Sequence, residues 1–182
     1  MVAKKCNLSR RRFLSGTACG LVAPYFISSR ALGAAGQPPP SDRVVAALIG
    51  CGGRGMGLLN IRNDPRCTIA AVCDVDQDRT AAAKKTVGAC DAYQDFRPIL
   101  DRQDIDAVLI GAPDHWHAAM TVMSCQAGKD VYCEKPLCRT IEEGRKMVEA
   151  ARRYDRVVQM GTQYRSIART RQACEWIRNG RL

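Results

Sequence analysis

The 182-residue sequence is short of histidine, of aromatic residues and of long uncharged apolar runs. Aromatics make up 5% of it, so a core has to be built from Val, Ile, Leu, Ala and Met. No uncharged apolar run reaches the ~18 residues that a membrane-spanning helix needs, which excludes a multi-span membrane protein. With 46% hydrophobic and 25% charged residues, the chain is not disordered, collagen-like or coiled coil as a whole. Its length suits one domain with a tail. The only two histidines, His115 and His117, stand in one loop, and no Cys-x-x-Cys pair occurs. Cys133 and Cys138 come nearest and have no second half-site or suitable His pair, so no metal is expected.

The net charge of +10 is unevenly placed. Residues 1–35 hold six of the 28 basic residues and none of the 18 acidic ones, so the rest of the chain carries 22 basic against 18 acidic, a net of +4. The later Arg and Lys are interspersed with acids rather than striped, which argues against nucleic acid as a partner. The basic start, the broken apolar stretch Phe13 to Ile27 and the small residues Ala31 to Ala35 read as an export signal over 1–35. Within it, Ser9-Arg10-Arg11-Arg12-Phe13-Leu14 matches the twin-arginine pattern Ser/Thr-Arg-Arg-x-Phe-Leu. The expected destination is periplasmic or extracytoplasmic, with the twin-arginine export machinery as a partner. No lipid anchor is expected at Cys19, which follows Gly16-Thr17-Ala18.

Residues 36–42 contain three consecutive prolines and read as an extended linker, so the folded domain is expected over 43–182. Eight cysteines lie in it, most within apolar patterns, where a thiol packs as a small hydrophobe. Buried thiols are expected, with one or two disulfides open if the exported site is oxidising.

From Arg43 onward, apolar runs alternate with helical patterns. Strands are expected at 43–50, 67–74, 104–111, 130–133 and 156–160, and helices at about 54–62, 78–87, 96–100, 117–127, 140–154 and 167–178. Thr140-Ile-Glu-Glu143 has the form of a capping box. Fully apolar strands separated by helices mean a parallel sheet covered on both faces, and right-handed crossovers make it a doubly wound α/β fold of the Rossmann type.

The end of the first strand carries chemistry. Gly50-Cys51-Gly52-Gly53-Arg54-Gly55 fits G-x-G-x-x-G between a strand and a helix, and Asp74 closes the next strand 24 residues later. Gly50 permits a tight turn, Gly52 lets the backbone approach a pyrophosphate, and Gly55 allows close packing of helix on strand. The helix start offers free N–H groups to phosphates, and Arg54 adds a cation beside them. Asp74 can accept both adenosine ribose hydroxyls and would repel a 2′-phosphate, which favours NAD over NADP. A glycine-rich loop can also pack a sheet with no nucleotide, but here strand, helix and acid stand in register.

Ligands of open parallel sheets sit outside the carboxyl ends of the strands. Three later loops reach that edge: Pro113-Asp114-His115-Trp116-His117, Glu134-Lys135-Pro136 and Gly161-Thr162-Gln163. With the glycine loop and Asp74, these segments resemble the glucose–fructose oxidoreductase, inositol dehydrogenase and rhizopine-catabolism family (Gfo/Idh/MocA). The resemblance runs from about Arg43 onward, and Glu-Lys-Pro at a strand end is its most specific part. It implies that Glu134 contacts the nicotinamide ribose. It implies that Lys135 hydrogen-bonds the reacting hydroxyl and assists proton transfer as the catalytic residue. It places His117 and the Asp114–Trp116 loop along the cofactor, with Gln163 near the nicotinamide end. A Lys beside bound cofactor and substrate suits acid–base work near neutrality.

Members of that family carry a second α/β domain that supplies the substrate sheet and further catalytic side chains; this sequence holds no counterpart of it. The expectation is therefore an NAD-dependent oxidoreductase of a sugar or polyol, or its N-terminal half, with a homo-oligomer left open. Two alternatives stand beside it: an NAD-dependent glycoside hydrolase of the same fold, against which Lys135 argues, and a non-catalytic NAD-binding module.

Overall fold

A computed structural model describes residues 38–181. The expected export signal, and the first two residues of the expected linker, lie outside the described residues. From Ser41 onward the chain folds as one unit around a six-stranded sheet. The strands are β1 (Val44–Ile49), β2 (Cys67–Cys73), β3 (Asp91–Tyr93), β4 (Ala107–Ile110), β5 (Asp130–Glu134) and β6 (Val158–Gly161). All neighbours pair in parallel, in the order β3-β2-β1-β4-β5-β6. This is the doubly wound Rossmann arrangement, and its order reverses between β1 and β4.

Helices cover both faces: α1 (Gly53–Leu58), α2 (Gln77–Val87), α3 (Arg97–Asp101), α4 (Asp114–Gln126), α5 (Ile141–Arg153) and α6 (Ala168–Arg178). Alternation along β1 sends Ala46 and Leu48 to a core shared with Leu59 and with Ala83 of α2. Ala47 and Ile49 go to the opposite core, with Ile99 of α3, Met120 and Cys125 of α4 and Ala150 of α5. In β2 the register slips by one residue, Ala46 facing Ile69 and Ala47 facing Ala71. The extra residue, Ala70, lets Ile69 and Val72 serve one core while Ala71 and Cys73 serve the other.

The helix ends follow local chemistry. Asp76 caps α2 by accepting from the N–H groups of Asp78 and Arg79, and Gly88 (φ 89°) ends it. Thr140 and Glu143 form the reciprocal box that starts α5. Three expectations shift. The helix expected over 54–62 is α-helical only to Leu58 and continues as a 3-10 turn over Leu59–Asn63; three of its first five residues are glycine. The helix expected from His117 starts at Asp114, directly after Pro113. The short strand β3 has no counterpart among the expected strands, because its three residues carry no apolar run. Among the described residues no helix is long and apolar enough to cross a membrane.

Candidate functional site

The reversal of strand order brings three glycines into backbone contact. Gly50 turns with φ 93°, and its N–H donates to Cys73 O at 2.8 Å. A Cβ on Gly50 would lie 2.5 Å from Ala112 N, one on Gly55 would lie 1.8 Å from Gly50 O, and one on Gly111 would lie 2.8 Å from Gly55 Cα. No side chain can relieve such overlaps, so β1, α1 and the end of β4 meet as bare backbone. Gly52 and Gly53 differ. The nearest atom to a Cβ on Gly52 is Arg79 Nη1 at 3.7 Å, and nothing lies within 4 Å of one on Gly53. Their backbone is open to a ligand, and the first N–H groups of a helix have no partner within it.

Asp74 holds this turn. Its Oδ2 accepts from Cys51 N–H at 2.7 Å and its Oδ1 from Asp76 N–H at 3.0 Å. Each oxygen keeps a second lone pair for another donor. Beside it lies a cleft of about 490 Å³ whose walls include Gly50, Asp74, Phe96, Pro113, His115 and Trp116. Trp116 meets Phe96 edge-on at 6.3 Å, and the Arg97 guanidinium stands 5.3 Å from the Phe96 ring centre. Aromatic walls with an acid at one end suit a flat base joined to a ribose, so the residues present fit the adenosine part of a dinucleotide.

Glu134 ends β5 and is 3% exposed. Its Oε1 lies 2.7 Å from Arg54 Nη2, which ties β5 to the start of α1. The carboxylate holds the Arg54 guanidinium still more firmly in its charged form, and the Tyr132 hydroxyl faces the same guanidinium. Burial pushes the Tyr132 phenol up from its ordinary value. On the other side stands Gly161, where a Cβ would lie 2.8 Å from the Tyr132 hydroxyl and 2.9 Å from Glu134 Oε1. Lys135 follows with an exposed side chain and a cis bond to Pro136. Gln163 is half-buried and opens the 3-10 turn Gln163–Ser166 after β6.

The loop after β4 divides its residues. His115 and Trp116 line the cleft, and Asp114 is exposed in the first turn of α4. His117, expected along the cofactor, is 1% exposed and faces inward instead. Its Nδ1 lies 2.6 Å from Pro136 O and its Nε2 2.8 Å from Ala112 O, so the ring joins the loop after β4 to the loop after β5. Helical spacing explains this, since His117, Met120, Thr121 and Ser124 form the buried stripe of α4.

All eight described cysteines are free thiols. Burial pushes Cys51 and Cys73, on either side of the glycine turn, up to about 12 from 9.0, and Cys133 up to about 11. Thiols held protonated in this way are poor nucleophiles. No cluster suited to a metal ion exists among the described residues.

The sequence named Gly161 only as the start of a loop, and Gly111 and Tyr132 were missed as site residues. Gly111 carried a signal, a glycine directly after an apolar strand; Tyr132 and Gly161 matter only through neighbours that the fold brings to them.

Known proteins resemble this chain in sequence and fold. Inositol 2-dehydrogenase from Klebsiella pneumoniae is 34% identical over 116 residues, covering 59% of this chain and 34% of its own length. Glycosyl hydrolase family 109 protein 2 from a Shewanella species is 33% identical over 169 residues, covering 80% of this chain and 37% of its own. Scyllo-inositol dehydrogenase from Lactobacillus casei, crystallised with NAD(H) and scyllo-inositol, superposes with a TM-score of 0.70 at 25% identity, covering 76% of this chain and 42% of that one. The chain thus spans about a third of the length of the curated relatives it matches. The oxidoreductase family Gfo/Idh/MocA, NAD-binding Rossmann fold, matches residues 44–162, most of the folded unit. The chain belongs to the Gfo/Idh/MocA oxidoreductase family and carries its NAD-binding domain, with NAD as the cofactor.

Proposed function

We propose that the chain is the cofactor-binding part of an enzyme that moves a hydride between nicotinamide and a hydroxyl of a sugar or polyol. The observation that carries this reading is an exposed Lys135 next to a buried Glu134 that is tied to the glycine helix by Arg54. Bound NAD supplies the hydride acceptor. The glycine turn and Asp74 bind its adenosine and phosphate part, Glu134 holds the nicotinamide ribose, and Lys135 Nζ takes the proton from the hydroxyl. Asp74 sets a preference for NAD over NADP, because a 2′-phosphate would stand against its carboxylate. The inositol dehydrogenase relatives support a polyol substrate.

A second reading has an observation of its own. The glycosyl hydrolase family 109 relatives match over more of this chain than the dehydrogenase does. Lys135 weighs against it, because by the family resemblance that group tends to lack the Lys of Glu-Lys-Pro. The deciding assay follows NADH formation with a panel of inositols and sugars, and sugar release from glycosides. It is run on the 182-residue chain and on any longer form encoded with it. NADH formation dependent on a polyol supports the first reading; glycoside cleavage without net NADH overturns it.

We also propose export through the twin-arginine pathway, on the strength of Ser9 to Leu14. Replacing Arg10 and Arg11 by Lys should retain a tagged chain in the cytoplasmic fraction, and unchanged export would remove this proposal.

A further inference from the structure

Arg54 stands where a cation could meet a pyrophosphate, yet its guanidinium points to Glu134 Oε1 at 2.7 Å. Glu134 is 3% exposed, and a carboxyl group so far from water is held in place by its nearest polar partner, here a guanidinium. Gly161 bounds the same carboxylate from β6, with room for a hydrogen but not for a methyl group. The Tyr132 hydroxyl closes the third side. Arg54, Tyr132 and Gly161 come from three elements, and nothing in their sequence spacing joins them.

We propose that Arg54 and Gly161 are positioning residues that together fix the Glu134 carboxylate, and that Arg54 acts on the cofactor through Glu134 rather than by gripping the phosphates. This rests on the reading that Glu134 holds the nicotinamide ribose. Arg54 supplies the charge that keeps the buried carboxylate in place. Gly161 supplies the space: its φ is not in the left-handed region, so alanine fits the backbone there. The atoms a methyl group would strike are the mobile ends of Tyr132 and Glu134, not main chain. Gly161→Ala should therefore fold and displace the carboxylate.

The test compares two ligands by calorimetry. ADP carries the adenosine and both phosphates; NAD adds the nicotinamide ribose. Arg54→Met and Gly161→Ala should each weaken NAD binding roughly ten- to a hundredfold, the range for losing a hydrogen bond to a charged group, and change ADP binding by less than about twofold. Arg54→Lys, which restores the charge, should recover part of the NAD affinity. Equal losses for ADP and NAD in Arg54→Met would make Arg54 a phosphate ligand and overturn the proposal, as would unchanged NAD binding in Gly161→Ala. A double-mutant cycle of Arg54→Met with Glu134→Gln, read by thermal unfolding, needs no ligand. Coupling between the two supports the proposal and additivity overturns it. If the wild type binds neither ligand, the cofactor reading fails on its own, and this cycle still decides whether Arg54 fixes the Glu134 carboxylate.

Discussion

The two halves of the sheet's carboxyl edge are built from different materials. Around β1, β2 and the end of β4, main chain lies against main chain: Gly50, Gly55 and Gly111 leave no space for a methyl group, and Asp74 fastens the turn through two N–H groups. Around β5 and β6 the fixed points are side chains, and the surface is open. Lys135 is exposed, Met160 and Tyr164 are 39% and 70% exposed, and α6 buries none of its residues. The first half is shaped by steric exclusion, which leaves few ways to change it. The second is set by polar contacts that substitution can alter without undoing the fold, which is where a family can vary its chemistry.

Five substitutions and one change of pH bear on this contrast. The largest effect is expected on the open half. In any form of the protein that oxidises a polyol, Lys135→Met should lower turnover by about 10²–10⁴, the range for losing a proton-transferring group. NAD affinity and thermal stability should stay as they are, because the side chain is exposed; a matching loss of NAD binding would move Lys135 into the binding half. On the closed half, Gly55→Ala forces a methyl group toward Gly50 O and should cost about 3 kcal/mol in denaturant unfolding. Gly53→Ala, with open space around it, should stay within about 0.5 kcal/mol. Similar costs at the two positions would break the contrast.

Asp74→Ala should weaken NAD binding by about 1–3 kcal/mol and narrow the gap to NADP, read by titration with each nucleotide. A wild type that prefers NADP would count against the role given to Asp74. The smallest effect comes from the thiols flanking the turn. Cys51 and Cys73 are pushed by burial from 9.0 to about 12, so they stay protonated in the fold while the unfolded chain begins to release protons near pH 9. Their contribution is present below that pH and fades as the pH climbs toward 12. Unfolding midpoints should fall over this window, and less so in Cys51→Ala.

Much of the closed half was legible in the sequence, because its determinants are local. An apolar run, a glycine spacing and an acid at the next strand end lie within the 31 residues Val44 to Asp74, and they define β1, the turn, α1 and β2. The open half was legible as loops but not as contacts. Arg54 and Glu134 are 80 residues apart, and their pairing depends on β5 lying next to β4 in the sheet. His117 sat in a polar loop that the family resemblance placed along the cofactor. The helical period starting three residues earlier than expected carries it into the core. The strand β3 was hidden for the opposite reason: its polar, three-residue sequence pairs at the sheet edge with β2 as its one strand neighbour.

The imidazole of His117 has a mechanical consequence. It is a rigid ring wedged between Ala112 O and Pro136 O, so the segment after β4 and the segment bearing Lys135 cannot travel independently. The first of these segments also supplies His115 and Trp116 to the wall of the adenosine cleft. One buried ring therefore lies between that wall and the segment bearing Lys135, with a carbonyl oxygen against each of its nitrogens. The chain thus has a short link between the aromatic wall of the cleft and the segment that bears Lys135.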